Sequence, residues 1–387
     1  TEQSSNTYIL ENGMRVAVKR SELIEYFKYI IVAIRKDRWV ANLFYRLADK
    51  NTRNGIQIFE DFCKSGHMKE KDILAMRVLG DDAQIPAYRF ENVLLRKNRR
   101  FYNGDESNFV NLFASDYNDD FPDPFVRADI LNWLYQVQAL SGPTGDKGLF
   151  QVSELARSLQ VYGHSLAVIY RELAYLARKN LVLCENSAMP IEEGDLVKIT
   201  IPGALHLQML RNVSYLSACA EDTLFKNTEV MTRISNRLKF HESDSKLVVA
   251  LNARDLVNYL IEYRKEYLTN SDELVSEKVI ISSVDLNDSL HAVEQWIQAD
   301  ENLKKTISEI DYFTVDMDVD ACVVSKNSGG VVCTIADKDV KGFISSLEPK
   351  YSFPRDVYSK IKPGDILKCK VMEFDFTHRS FQLKYLN

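Results

Sequence analysis

Apolar residues recur at three- and four-residue intervals through the first third of the chain: Leu23, Phe27, Ile30, Ile31 and Ile34, then Leu43, Phe44 and Leu47, then Ile56, Phe59 and Phe62. That spacing puts each set on one face of an α-helix and predicts a helical bundle. Asn51 stands where a helix N-cap is wanted, because its side-chain oxygen can accept an orphan backbone N–H, and Ser65-Gly66 supplies a stop. From Pro124 the pattern predicts a helix over 124–140, a loop over 141–148, and a short helix capped by Ser153. A further helix opened by Ser165 carries Val168, Ile169, Leu173 and Leu176. Two strands, 181–184 and 196–201, follow around a polar loop containing Pro190 and Gly194. Helical spacing returns over 252–267 and 287–307, with a polar break at 269–272.

After Asp311 the period shortens from helical to two, with Val315, Met317, Val319 and Ala321 alternating against Asp316, Asp318 and Asp320. Gly329-Gly330 turns the chain into 331–335, Gly342-Phe343-Ile344 forms a third strand, and Pro363-Gly364-Asp365 is a turn before 366–374 and 379–386. Five strands with one longer connection over 345–362 predict a Greek-key barrel of OB type. The expected architecture is multidomain α+β: a helical bundle over 1–113, a helix-rich unit with a hairpin over 114–202, a helical connector over 203–310 and the barrel over 311–387.

Composition narrows the function more than the fold. Six scattered cysteines without a CxxC pair, and no His at zinc-finger spacing, argue against a disulfide framework or a structural zinc site and imply a reducing, cytoplasmic setting. The longest apolar run, near 30–34, is too short for a membrane span. The chain starts without Met, which points to a piece of a longer protein. Net charge is −6, but residues 1–113 carry +4, with the densest cations at Arg96, Lys97, Arg99 and Arg100 ahead of Phe101 and Tyr102. HExxH, GxSxG and metal-spaced His/Cys/Asp sets are all missing from the sequence, so no catalytic constellation suggests itself.

Three segments carry family resemblances. Asn51-Thr52-Arg53 through Ser65-Gly66-His67 resembles the small helical lid that follows the nucleotide-binding core of AAA+ and STAND-type P-loop ATPases, in which an Arg near a helix start faces the nucleotide. Arg53 is the matching position. The helix, helix, helix and hairpin after Pro124 resemble a winged helix, and lid followed by winged helix is the order of that superfamily. The C-terminal segment resembles an S1 domain, with Gly342-Phe343-Ile344-Ser345, Pro363-Gly364-Asp365 and 379–383 at the expected places. S1 relatives stack single-stranded RNA on aromatics, but here 329–335 holds none and Phe343 alone matches. No Gly is followed by Lys, so the GxxxxGK[ST] phosphate loop is missing; the Gly142-Pro143-Thr144-Gly145 stretch reads as a linker. No cofactor is therefore implied in this chain, and ATP would enter only with a separate P-loop core.

The resemblances imply a non-catalytic nucleic-acid-binding and regulatory region of an ATPase system. Duplex DNA would meet His164, Ser165, Tyr170, Arg171, Arg178 and Lys179; phosphates would meet Arg96, Lys97, Arg99 and Arg100; DNA or RNA strands would meet Phe343, Lys341, Lys368 and Arg379 on the barrel. The acidic hairpin loop, with Glu192, Glu193 and Asp195, keeps a rival open: a protein-assembly adaptor in a bacterial defence or stress complex, partnered by a P-loop ATPase core or other subunits. An enzyme completed by a partner carrying the P-loop is the third alternative.

Overall fold

The computed structural model describes residues 5–9, 15–67, 78, 86–114, 123–140, 148–186, 190–240, 245–268, 283–335, 340–347, 353 and 355–386. They fall into two compact units, Thr1–Ile234 with Val249–Val293, and Ser235–Val248 with Glu294–Asn387. The expected loop over 141–147 and the polar break at 269–272 lie outside the described residues.

The first unit opens with an antiparallel ribbon of β1 (Ser5–Ile9) and β2 (Arg15–Lys19), which the helical reading of the N-terminal region did not anticipate. Helices α1 (Arg20–Lys36), α2 (Arg38–Ala48), α3 (Thr52–Lys64) and α4 (Ala87–Arg96) follow. Asp37 caps α2 by accepting from Trp39 N at 2.8 Å, and Asn51 caps α3 by accepting from Arg53 N at 2.9 Å. Ile30, Val40, Leu43, Ile58, Phe62 and Phe90 are buried together, while Ile31 and Ile56 face solvent, Ile56 at 64% exposure. The stripe of α3 thus runs through Ile58 and Phe62, not Ile56. Residues 97–114 leave α4 without regular structure.

Next come α5 (Val126–Leu140), β3 (Phe150–Gln151), α6 (Val152–Gln160), α7 (Leu166–Arg178), β4 (Val182–Cys184) and β5 (Leu196–Ile199). The strands form a three-stranded antiparallel sheet in the order β3-β5-β4; β3 is too short to be seen as a period in sequence. The chain continues through α8 (Ile201–Met209), α9 (Val213–Asp222), α10 (Thr228–Phe240), α11 (Lys246–Leu268), α12 (Asn287–Gln298) and α13 (Glu301–Tyr312). The expected connector over 203–310 is not a separate body. Helix α8 packs on α2 and α5, and α9 packs on α4, so these helices finish a core begun a hundred residues earlier. Gly203 lets α8 lie close against the chain entering β4, since a Cβ there would lie 2.2 Å from the Leu181 carbonyl oxygen. The single helix expected over 287–307 is two, broken at Asp300, whose carboxylate caps α13 through Leu303 N at 3.2 Å.

The second unit holds a closed five-stranded barrel of β6 (Asp318–Asn327), β7 (Gly330–Ile335), β8 (Val340–Ser345), β9 (Ile366–Asp375) and β10 (Ser380–Tyr385), ordered β10-β8-β7-β6-β9. The β8–β10 pair is parallel and the others antiparallel, and α14 (Arg355–Lys360) lies in the long connection between β8 and β9. This is the OB-like barrel that the alternation predicts, in an α+β chain. Val319, Ala321, Val323, Val331, Cys333, Cys369, Val371, Phe381 and Leu383 fill its interior. Gly342 gives way to Leu383, whose Cδ1 would lie 2.5 Å from a Cβ at that position.

Candidate nucleic-acid interface

Helix α7 is set on its sheet by Ile169, Leu173 and Leu176, all fully buried, which turns Ser165, Leu166, Ala167 and Arg178 outward. Ser165 caps the helix, its Oγ accepting from Val168 N at 3.4 Å. Tyr170 and Arg171 are half-buried. Arg171, Tyr175 and Arg178 follow one another at four- and three-residue spacing on one face and, with Glu172, line a cleft of about 350 Å³. Its other wall is Asn103, Gly104, Asp105, Ala114, Arg127 and Asp222.

The floor of the cleft is an ion pair that sequence reasoning missed. Arg127 Nε lies 2.6 Å from Glu172 Oε2, with the two side chains 7% and 0% exposed. Arg127 Nη1 also donates to the Asn111 carbonyl at 3.1 Å, and the guanidinium stacks 3.8 Å over the Tyr175 ring. Arg171 Nε lies 3.5 Å from the other Glu172 oxygen. Tyr175 Oη donates to Asp105 Oδ1 at 2.7 Å, and Lys179 donates to the Asp105 carbonyl. Burial, foremost, and the neighbouring Asp105 raise the Asp222 carboxyl above its usual range, against the hydrogen bond from Gly104 N. Arg127 and Asp129 are charges set between Val126, Ala128 and Ile130, and that interruption of an apolar run is the signal from which a buried pair could have been suspected.

His164 departs from its expected role. It is buried, with Nδ1 3.0 Å from Asp123 Oδ2 and Nε2 3.1 Å from Asp129 Oδ2, so it cannot reach a groove. Burial alone would lower its pKa, but the hydrogen bonds to Asp123 and Asp129 outweigh that and raise it to about 9. Asp129 also accepts from Ser283 Oγ at 2.9 Å and Val284 N at 3.0 Å, and it lies 3.3 Å from Arg264. Burial would raise the Asp129 pKa, yet His164, Arg264 and Val284 N together hold it below the usual carboxylate value.

The basic cluster after α4 is likewise not one surface. Arg96 is a core residue: its guanidinium pairs with Glu221, the two side chains 2% and 1% exposed, and reaches Asn92 Oδ1 at 2.8 Å. The phosphate contact expected of Arg96 is ruled out by that burial. Lys97 Nζ lies 3.5 Å from Asp61 Oδ2, Arg99 pairs with Glu106, and Arg100 sits 4.9 Å over the Phe101 ring. The segment that follows is held by Tyr102 N donating to Glu221 at 2.8 Å, Gly104 N to Asp222 at 2.9 Å and Val110 N to His206 Nε2 at 2.9 Å. His206 is fully buried and neutral, because desolvation lowers its pKa to about 4 against the hydrogen bond to the Pro202 carbonyl. Arg53, by contrast, is exposed in the first turn of α3.

On the barrel, Lys341 is exposed opposite Thr334, and Phe343 is half-buried on the outer face between Val332 and Gln382. Lys368 is tied to Asp320 at 2.7 Å, part of a cross-strand ladder in which Lys370 lies 3.9 Å from Asp318. That ladder neutralises the face. Arg379 is exposed and lines a smaller cavity of about 190 Å³ with Lys246, Asp300 and Thr306, a lining that does not include Phe343. Among the described residues no cluster of His, Cys, Asp or Glu is arranged to hold a metal, and no helix is long and apolar enough to cross a membrane.

No protein-family model and no curated protein matches the chain. Among solved structures, the apo form of Mycoplasma genitalium RNase R is similar at 12% identity and TM-score 0.18, and the same organism's RNase R in complex with ribose-methylated single-stranded RNA at 11% and 0.19. Each match covers 66% of this chain and 53% of the other, so the chain spans about half the length of those proteins. At such scores the superposition is too loose to carry an assignment.

Proposed function

We propose that the chain is a nucleic-acid-binding and regulatory region of an ATPase system, and that 124–200 is a winged helix whose third helix, α7, meets duplex DNA. The observation that carries this reading is the outward face of α7. Ser165 and Arg178 are exposed and Tyr170 and Arg171 half-buried on a helix seated on a three-stranded sheet, with the N-terminal turn open to base edges, Arg178 open to flanking phosphates and Arg171 beside it on the cleft. The Phe343 and Lys341 face of the barrel is the second contact, suited to one stacked base of a single strand. Arg53, exposed in the first turn of α3, is the group that would face nucleotide on a separate P-loop core; the chain itself performs no bond-breaking step in this reading. A protein-assembly role is favoured by different observations, the exposed Leu166 and Leu183 and the exposed acids Glu192 and Glu193 of the hairpin loop.

Fluorescence anisotropy with labelled duplex DNA, single-stranded DNA and RNA across a salt series tests it. Arg171→Ala should weaken duplex binding, and Phe343→Ala should weaken single-strand binding alone. No binding of any of the three at low salt would overturn the nucleic-acid reading and leave the assembly role.

A further inference from the structure

We infer that Asp105 is an internal stand-in for a nucleic-acid phosphate, occupying donors at the C-terminal end of α7 that a backbone phosphate would otherwise take; the inference rests on the nucleic-acid reading of α7 above. Tyr175 Oη donates to Asp105 Oδ1 at 2.7 Å, the Lys179 ammonium donates to the Asp105 carbonyl, and Lys179 Nζ lies 3.9 Å from Oδ1. The carboxylate thus holds one O–H donor directly and screens one ammonium at ion-pair distance, the two kinds of group that a backbone phosphate would engage. Tyr175 and Lys179 also continue the cationic track of Arg171 and Arg178, so donors run along about 12 Å of helix.

The acid is built into this position. Asn103 Oδ1 accepts from Asp105 N at 3.0 Å and Glu106 N at 3.2 Å, closing an Asx turn, and Gly104 N is tied to Asp222 Oδ2 at 2.9 Å. Gly104 has no room for a side chain, since a Cβ would lie 2.9 Å from Asn111 N. The carboxylate is 71% exposed and the lysine beside it 30% exposed. An exposed pair of this kind is held weakly. It therefore discourages isolated or weakly anionic ligands while a polyanion presenting several phosphates to α7 can displace it.

The test compares wild type, Asp105→Ala, Asp105→Asn and Asp105→Ala with Lys179→Ala in duplex anisotropy across a salt series. Asp105→Ala should bind several-fold tighter at low salt, with log K falling more steeply against log salt by about one phosphate contact, and the double variant should lose both gains. Asp105→Asn keeps an acceptor oxygen for Tyr175, so it should show a smaller gain than Asp105→Ala. An unchanged affinity and slope in Asp105→Ala, with Arg171→Ala still weakening binding, overturns the inference and leaves the reading of α7 intact. Equal tightening in Glu229→Ala, which removes one exposed carboxylate elsewhere for the same change in net charge, also overturns it, since the gain would then be bulk charge rather than a freed donor. If neither wild type nor Asp105→Ala binds at low salt, both fall.

Discussion

Replacing Glu172 with Gln strips the charge from the floor of the α7 cleft at nearly constant volume. Arg127 would keep the Asn111 carbonyl and the Tyr175 ring, yet lose its buried counter-charge at 2.6 Å. Two unit charges about 4 Å apart at an effective dielectric constant of about 20 attract by about 4 kcal/mol. Breaking a buried pair from one side is destabilising by about 3–5 kcal/mol, and the adjoining Arg171 adds like-charge repulsion once Glu172 is neutral. Urea unfolding is the assay, followed by tryptophan fluorescence; Trp133, buried in α5 with Phe150 at 5.8 Å, reports on this part of the first unit. With m of about 1–3 kcal/mol/M the midpoint should fall by at least about 1 M. Arg127→Leu together with Glu172→Leu removes both charges and should be less damaging than Glu172→Gln alone. A single variant within about 1 kcal/mol of wild type, or a double variant worse than the single, would refute the view that the pair is desolvated and mutually dependent.

Three further outcomes follow from groups described above. His164 has its pKa raised to about 9 in the fold, above the unfolded value of about 6.5, so its stabilisation is complete below pH 6.5 and lost as pH rises toward 9. The alkaline limb should weaken by up to about 3 kcal/mol, and His164→Gln, compared with wild type in urea midpoints at pH 6 and pH 9.5, should flatten it. His206 behaves oppositely: its folded pKa of about 4 lies below the unfolded value, so stability is complete above about pH 6.5 and falls as pH drops toward 4, a limb that His206→Leu should reduce while leaving Val110 N without its acceptor. Gly203→Ala places a methyl against the Leu181 carbonyl and should lower stability by about 1–3 kcal/mol or more, read as a drop in melting temperature; a neutral result would mean that α8 does not seat where described.

What could be read in the sequence was local. Asn51 and Ser165 cap their helices through hydrogen bonds spanning two or three residues, and the barrel strands follow from a period of two that their own side chains declare. Arg96 was misread for the opposite reason: in sequence it stands among cations, while the carboxylate that draws it inward is Glu221, 125 residues on. His164 resembles a recognition-helix residue by position, and only Asp123 and Asp129 from the start of α5 show otherwise. In α3 the expected Phe62 is the buried anchor, in contact with Phe90 of α4 at 5.3 Å, whereas the expected Ile56 faces solvent and Ile58 is buried instead. The cleft beside α7 needs residues from five stretches of chain, and no spacing rule joins them.

The dependence of the first helices on α8 and α9 bears on how the chain emerges from the ribosome. Val110 waits 96 residues for His206, and Tyr102 waits 119 for Glu221. At about 5–20 residues per second, that is an interval of about 5–25 s in which Phe109, whose ring packs on His206 and Tyr215, has no lasting cover. The three-stranded sheet and its helices are translated inside that interval. Helix α5 among them in turn awaits α8, Arg264 and Val284, so whatever shields nascent apolar surface in this unit has to act between the synthesis of residues 113 and 222.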